Sequence, residues 1–363
     1  MTISLTDTAS LHPLVLPARA DAAPTALIDA YADVRNRSIV ESSGRTDDCL
    51  TSAELLPVLY SSRASEKRQW YIEESGRMVG CAAVDILQDG DGEQAIVVVC
   101  VLESHQRRGI GSAALAAVEA DLRAAGVRVL LAWIEHRGEN GEMIAAPTGF
   151  GSVPRDAGAR FAERAGFRLE QIERASRLRF DRDAIAHLER SLAGARERSA
   201  EYRVVQWMLP TPPEFVEGYA WMKSRMSTDV PDADLDLPEE VWDAARVAEL
   251  EQRQAAKGFA LQVTAAQHIR TGELCAFNEL AIRAADPAGT SHQYDTLVLS
   301  GHRGHRLGML VKTAGLLRWH EQFPASPHVI TYNAEENRPM LDINEAIGFL
   351  PFVYEGAWRK EWR

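Results

Sequence analysis

The sequence predicts an α+β fold built twice in tandem, each copy a mixed, largely antiparallel twisted sheet flanked by helices. Three observations carry this reading. The chain has 363 residues, more than one domain of ~100–200 residues needs. Hydrophobic residues are 46% and charged residues 25%, a packed globular composition that excludes wholesale disorder and collagen-like repeats. One order of elements then occurs twice: strand, basic glycine turn, helix, strand, helix, Gly-Phe strand. Its first occurrence is AIVVVCVLESHQRRGIGSAALAAVEADL (95–122), followed by AERAGF (162–167). Its second is DTLVLSGHRGHRLGMLVKTAGLLRWH (295–320), followed by NEAIGF (344–349).

In the first copy, 11–18 reads as a strand, and 25–40 and 52–59 as helices. The stretches 70–73 and 77–87 form a hairpin about Glu74-Ser75-Gly76. The strand 94–102 leads into a helix over 109–125, with Leu115, Val118 and Leu122 on one face. A strand (127–134), a helix (156–165) and a strand (167–180) close the copy. The Gly- and Pro-rich stretch 135–157 reads as a long loop.

The charged, Ala-rich stretch from 183 reads as a helix, so domains over 1–185 and 201–363 are expected, joined by a helical linker over 186–200. The second copy repeats the plan. Tyr202–Met208 is a strand, broken by Pro210, Pro212 and Pro213. Helices follow over 214–226 and 238–256, then antiparallel strands 260–265 and 273–283. Strand 294–299, helix 306–321, strand 328–332, helix 335–346 and strands over 349–359 complete it.

Lys and Arg total 40 against 52 Asp and Glu, a formal net charge of −12, which repels nucleic acid and anionic lipid. No apolar run reaches the ~20 residues of a membrane span, and the start lacks a basic region before an apolar core, so a cytoplasmic protein is expected. Cys49, Cys81, Cys100 and Cys275 form no C-x-x-C pair and read as reduced thiols. His302 and His305 stand close without acidic or thiol neighbours in sequence, so no metal site is expected.

In QRRGIG (106–111), two glycines let the chain turn tightly into a helix start. Unpaired amides there point outward, and the helix dipole and Arg107 and Arg108 add positive charge. A pyrophosphate fits such a place, and a turn with solvated arginines is the plain alternative. No G-K-[ST] follows, so this is not a Walker loop.

The pattern [QR]-x-x-G-x-[GA] after a strand, with a later helix ending in Gly-Phe, resembles the GNAT superfamily of acyl-CoA-dependent N-acetyltransferases. Two copies in one chain resemble the tandem GNAT proteins, a group that includes mycothiol synthase. The resemblance implies acetyl-CoA as cosubstrate, its pantetheine arm along the strand before the turn and its pyrophosphate on the turn amides. In the first copy it implies Cys100, Val101 and Leu102 for the arm, and Gln106, Arg107, Arg108, Gly109, Gly111 and Ser112 for the pyrophosphate. In the second it implies Val298 and Leu299, then Arg303, Gly304, His305, Leu307, Gly308 and Met309. Arg306 stands where the family has its first glycine, which a helical φ accommodates because the amide alone is needed. Asn333 and Asn337 are implied as partners of the pantetheine, against capping or solvated roles. The family's tyrosine acid falls on Ala162 and Asn344, leaving solvent, Tyr332 or Tyr354 to protonate the leaving thiolate.

An alkylammonium is neutral about once in 2,500 molecules at pH 7, so an amine acceptor must lose a proton before attacking a thioester. Glu279, in CAFNELAI, is the first base candidate because an acid in mid-strand needs a reason; an outward-facing Glu is the alternative. Asp295 is the second. Asp229, Asp232, Asp234, Asp236, Glu239 and Glu240 make one loop acidic, which suits a cationic amine or is a solvated loop. The expected protein is a monomeric or homodimeric N-acetyltransferase acting on a small-molecule primary amine, with the second copy favoured as catalytic for its asparagines, mid-strand acid and acidic loop and the opposite assignment open because the first copy has the cleaner glycine turn. The alternative is a non-catalytic acyl-CoA-binding or sensing protein.

Overall fold

The computed structural model describes residues 2–138, 141–229 and 233–362. Two compact units emerge, one of residues 1–170 with 355–363, the other of residues 171–354. The sequence divides the chain by repeat, at 185 and 201. Compactness divides it by packing, at Glu170 and Tyr354.

The first unit begins with β1 (Ile3–Ser4), β2 (Ala9–Pro13), α1 (Ala26–Ser43) and α2 (Ser52–Leu55), the last extended by a 3-10 turn to Leu59. β3 (Ser65–Glu74) and β4 (Arg77–Leu87) form the expected hairpin. β5 (Gln94–Val101), α3 (Ile110–Ala124) and β6 (Val129–His136) follow. The long loop carries a small hairpin of its own, β7 (Met143–Ala145) with β8 (Ser152–Pro154), before α4 (Ala157–Arg164). The strand expected over 11–18 ends at Pro13, ahead of Pro17, because neither proline has an N–H for the ladder. Strands β1 to β6 lie in sequence order, and only the β5–β6 pair is parallel.

The chain continues through β9 (Arg168–Arg179), α5 (Arg182–Arg198), β10 (Tyr202–Met208), α6 (Val216–Asp229) and α7 (Ala244–Ala256). β11 (Phe259–His268), β12 (Leu274–Arg283), β13 (Ser291–Val298), α8 (Leu307–Gln322), β14 (His328–Ala334), α9 (Arg338–Ala346) and β15 (Leu350–Glu361) complete it. In the second unit the strand order is β9-β14-β13-β12-β11-β10, with β13–β14 parallel. The expected linker is α5, whose Leu188, Leu192 and Ala195 are buried in a core with Trp319 and Leu310 of α8. Two helices start later than expected. α7 starts at Ala244 because Asp243 caps it, and α9 starts at Arg338, with Glu335 paired to Arg174 and Glu336 bonded to Gln171.

Strand alternation sorts the second unit into two cores. Odd positions of β11 and β12, including Val263, Ala265, Phe277 and Ala281, pack with Tyr219, Met222 and Val247 of α6 and α7. Even positions, including Ala266, Ala276 and Leu280, pack under α8.

Candidate functional site

In both units the parallel pair is short. β5 and β6 pair only from Gln94↔Val129 to Ile96↔Leu131, and β13 and β14 only from Ser291↔Val329 to Gln293↔Thr331. Beyond these registers the strands splay, and each leaves a backbone edge facing the gap. Each splayed strand then runs into a 3-10 turn and a glycine turn.

The two turns are built alike. Gln106 Nε2 donates to the Val101 carbonyl at 2.9 Å, and Arg303 Nε donates to the Val298 carbonyl at 3.4 Å. Each turn then has left-handed residues at two alternate positions. They are Arg107 (φ 63°) and Gly109 (82°) in the first, Gly304 (87°) and Arg306 (56°) in the second. A helical φ would accommodate Arg306 at this position. It is left-handed instead, because the chain must reverse twice to enter α8, at a cost of about 1 kcal/mol for a residue with a Cβ.

Thr25, Thr51, Asp156, Asp181 and Asp243 each cap a helix by accepting a backbone N–H. The helices α3 and α8 have no side-chain cap. Among the described residues, the amides of 107–112 and of 304–309 have no protein acceptor. Six consecutive unspent donors at a positive helix end form an anion cradle in each unit. Of the expected pyrophosphate residues, Arg107, Arg108, Gly109, Gly111 and Ser112, and Gly304, His305, Leu307, Gly308 and Met309, lie on these two cradles; Gln106 and Arg303 stand just before them, their amides bonded to the Glu103 and Ser300 carbonyls. Cys100, Val101 and Leu102, and Val298 and Leu299, lie on the strand ends leading to them.

The expected bases meet on the α6 face of the second sheet. Between Asn278↔Thr296 and Leu280↔Gln293 the β12–β13 register shifts, so Tyr294 and Asp295 together oppose Glu279. That bulge locally breaks the ladder, and β4–β5 of the first unit has none. Glu279 is 2% exposed and accepts from Tyr219 Oη at 2.6 Å and Lys223 Nζ at 3.2 Å. Lys223 Nζ also reaches Asp295 Oδ2 at 2.5 Å and lies 4.8 Å above the Trp242 ring. Burial pushes the Glu279 carboxyl up, against the pull of Lys223. Burial opposes the Lys223 charge, yet attraction to Asp295 and Glu279 holds it above the usual lysine range. Asp295 keeps a 35% exposed side chain and is the more open carboxylate.

Tyr219 and Lys223 were missed in the sequence. Their signal is the motif Y-A-x-x-[KR] in both first helices, as Tyr31-Ala32-Asp33-Val34-Arg35 and Tyr219-Ala220-Trp221-Met222-Lys223. In the first unit the same face presents thiols instead of carboxylates. Cys81 and Cys100 are direct cross-strand partners packed with Tyr31. A bond from Cys81, with Ser38 and Arg35 nearby, draws the Cys100 thiol down to about 7 against burial.

Asn333 caps no helix. Its Oδ1 accepts from Asn344 Nδ2 at 2.7 Å, so the residue in the family tyrosine's place orients it. Asn337 stands at the N-cap of α9 without a side-chain cap bond. Burial pushes Tyr354 up, so it carries its proton at neutral pH.

Much of the acidic loop is already paired. Asp229 meets Arg225 and Arg303, Glu239 meets Arg225, and Glu240 meets Arg246. Asp232 lies outside the described residues. A cavity of about 440 Å³, lined by Trp221, Arg225, Asp229, Glu273, Leu299 and His302 among others, opens beside the second turn. His302 there does have company. Ligand atoms of His302, Glu273 and Cys275 lie within 4.8 Å of one another, and Tyr202 Oη holds His302 Nδ1 at 2.9 Å. His302 Nε2 faces Glu273 Oε2 at 3.7 Å, so imidazole, carboxylate and thiol converge in a grouping of metal-ligand type that the sequence spacing did not reveal.

A mixed sheet with a splayed parallel pair beside an uncapped helix, carried twice, is the tandem GNAT fold. A tandem GNAT protein from the clavulanic acid biosynthesis pathway, solved without acetyl-CoA, superposes with a TM-score of 0.72 at 23% identity, over 97% of this chain and 98% of that one. A GCN5-related N-acetyltransferase from Sphaerobacter thermophilus gives 0.63 at 13% identity, over 99% and 97%. The glucosamine N-acetyltransferase region of a fungal multi-domain β-N-acetylglucosaminidase gives 0.59 at 12%, over 97% and 38%. Residues 39–146 match the family model described as acetyltransferase (GNAT) family. No curated protein matches the sequence. No helix among the described residues is long and apolar enough to cross a membrane.

Proposed function

We propose that the chain is an acyl-CoA-dependent N-acetyltransferase that moves acetyl from acetyl-CoA to a small-molecule primary amine, with the second copy catalytic. The single observation that carries this reading is the run of unspent amides at 304–309 beside a splayed strand pair and a buried carboxylate cluster.

The turn amides bind the diphosphate, and the arm lies along β13 in the place of a missing strand partner. Between Val298 and Gln293 the strand advances about 16 Å at ~3.3 Å per residue, the span of an extended pantetheine arm. The thioester then reaches the bulge opposite Glu279. Asp295 or Glu279, directly or through water, takes the ammonium proton; the amine nitrogen attacks the thioester carbon and the C–N bond forms; the C–S bond breaks, the nitrogen releases its second proton to solvent, and CoA leaves as a thiolate that solvent protonates. Lys223 holds both carboxylates in place. A backbone amide freed by the bulge stabilises the oxyanion.

A binding role without turnover suits the first copy. Ala83 stands where the second copy has Glu279, and no bulge interrupts β4–β5. Native mass spectrometry counts CoA per chain, and thiol release with acetyl-CoA and an amine panel measures turnover. Two CoA per chain, with turnover lost in Glu279→Gln and Asp295→Asn, is the expected result. No CoA bound and no thiol release would overturn the reading.

A further inference from the structure

Under α8 the sheet of the second unit carries buried polar side chains beside its apolar core. Gly308, Lys312 and Gly315 share one helical stripe facing the sheet. A Cβ on Gly308 would touch Val298 of β13 at 3.5 Å; one on Gly315 would meet Asn278 Oδ1 and Thr264 Oγ1 at 3.1 Å. Lys312 lies between these two glycines on the same stripe, one turn beyond Gly308.

The strands below it carry Thr264, Asn278 and Thr296, with Gln293 and Thr331 at the point where β13 and β14 part. Asn278 Nδ2 donates to Thr296 Oγ1 at 2.9 Å, and Gln293 Nε2 donates to Thr331 Oγ1 at 3.3 Å. Their carbonyl oxygens, Asn278 Oδ1 and Gln293 Oε1, have no partner. Neither has Lys312 Nζ, on a side chain with 0% exposure. Buried groups are almost always bonded, so unpaired donors and acceptors on this helix-covered face of the sheet call for partners.

The first copy is the internal control. Counted from the same turn, its positions for Thr264, Asn278 and Thr296 hold Trp70, Ala82 and Val99, and its helix has Leu115 and Val118 for Lys312 and Gly315. An acetyl methyl needs only such an apolar floor.

We propose that the second turn takes a CoA thioester whose acyl group ends in a carboxylate, of the succinyl or malonyl class, and that Lys312 pairs with that carboxylate. This rests on the reading that the second turn holds CoA, and it narrows the acyl group there. The transfer step is unchanged: the C–S bond breaks, the C–N bond forms, and the distal carboxylate is a spectator. Burial draws the free Lys312 amine down to about 7, so an arriving carboxylate brings its proton partner in from solvent. The amides and hydroxyls of Asn278, Thr296 and Gln293 orient the chain between.

The test is calorimetry of CoA, acetyl-CoA and succinyl-CoA on the full chain with its first turn blocked by Gly111→Trp, so that only the second site reports. Succinyl-CoA is expected to bind at least tenfold tighter than acetyl-CoA. Lys312→Met is expected to erase that difference while CoA affinity stays within threefold, and Thr296→Val to reduce it. Equal affinity for the two thioesters, or a preference that survives Lys312→Met, would overturn the assignment while leaving the CoA site standing. Failure of CoA itself to bind would overturn both.

Discussion

Arg306 adopts at the second turn the left-handed conformation that Gly109 adopts at the first, with φ of 56° and 82°. Each turn needs two such residues and supplies one glycine and one arginine for them, in opposite order. The arginine is strained, and a glycine would relieve it at some cost in unfolded-chain entropy. Arg306→Gly is expected to change stability by between zero and about 1 kcal/mol in the favourable direction. Gly304→Ala is expected to destabilise by about 1 kcal/mol. Thermal denaturation of the two variants checks the pair; a destabilised Arg306→Gly would show that its side chain, not its backbone, sets the turn.

The Lys223 ammonium lies buried between Glu279, itself buried, and Asp295, which stays partly open to solvent. Removing it leaves a buried carboxylate without its cation, so Lys223→Met should cost about 3–5 kcal/mol. Lys223→Met with Glu279→Leu should recover most of that loss, because no charge is then stranded. Chemical denaturation of the three variants measures both effects.

Turnover should depend on pH through the same cluster. A general base works deprotonated, and burial raises the Glu279 carboxyl. The rate should therefore fall as pH drops through a value above the ordinary glutamate range, ~4.3. Asp295→Asn should lower kcat while CoA affinity stays within twofold. A pH–rate profile flat down to pH 5 would remove Glu279 from the base role.

The tandem plan was legible because both turns and both Gly-Phe helices repeat in order, and helix periodicity and turn residues need no tertiary knowledge. Glu279 stood out because a lone acid in an apolar strand breaks the pattern. Its partners did not. Tyr219 and Lys223 come from a helix 56 or more residues away, and only the fold brings them within reach. The same holds for His302, whose companions Glu273 and Cys275 lie on β12 or just before it. The Lys312 site was hidden for another reason. One lysine in a helix reads as solvated, and only burial of the whole stripe shows otherwise.

The two cradles differ in how tightly their second glycine is packed. A Cβ at Gly111 would meet Phe161 and Val101 at 3.7 Å, ordinary contact. A Cβ at Gly308 would lie 2.8 Å from Ile343 Cδ1, so α9 must yield or α8 must shift away from it. Gly111→Ala should leave CoA affinity at the first turn within threefold. Gly308→Ala should weaken the second turn by about tenfold, roughly 1.4 kcal/mol. Two-site calorimetry, or the CoA count in native mass spectra, separates these outcomes.

Lys312 carries a stability cost that its removal should expose. Burial lowers its amine from 10.5 to about 7. Below pH 7 the side chain is protonated in both folded and unfolded states, and the full penalty of a buried charge is present. Between pH 7 and 10.5 the unfolded chain binds the extra proton, so stability rises with pH as the folded group stays neutral. The shift corresponds to about 4 kcal/mol as an upper bound near neutral pH, which water in the polar stripe would reduce. Lys312→Met should therefore be more stable than the wild type at pH 7 by roughly 2–4 kcal/mol. The gap should shrink steadily toward pH 10, and taking the difference between the two proteins cancels every other titration. Urea denaturation across this range reads it directly. A methionine variant equal to or weaker than the wild type at every pH would mean the ammonium is already paired, with no free charge under α8 for a ligand to meet.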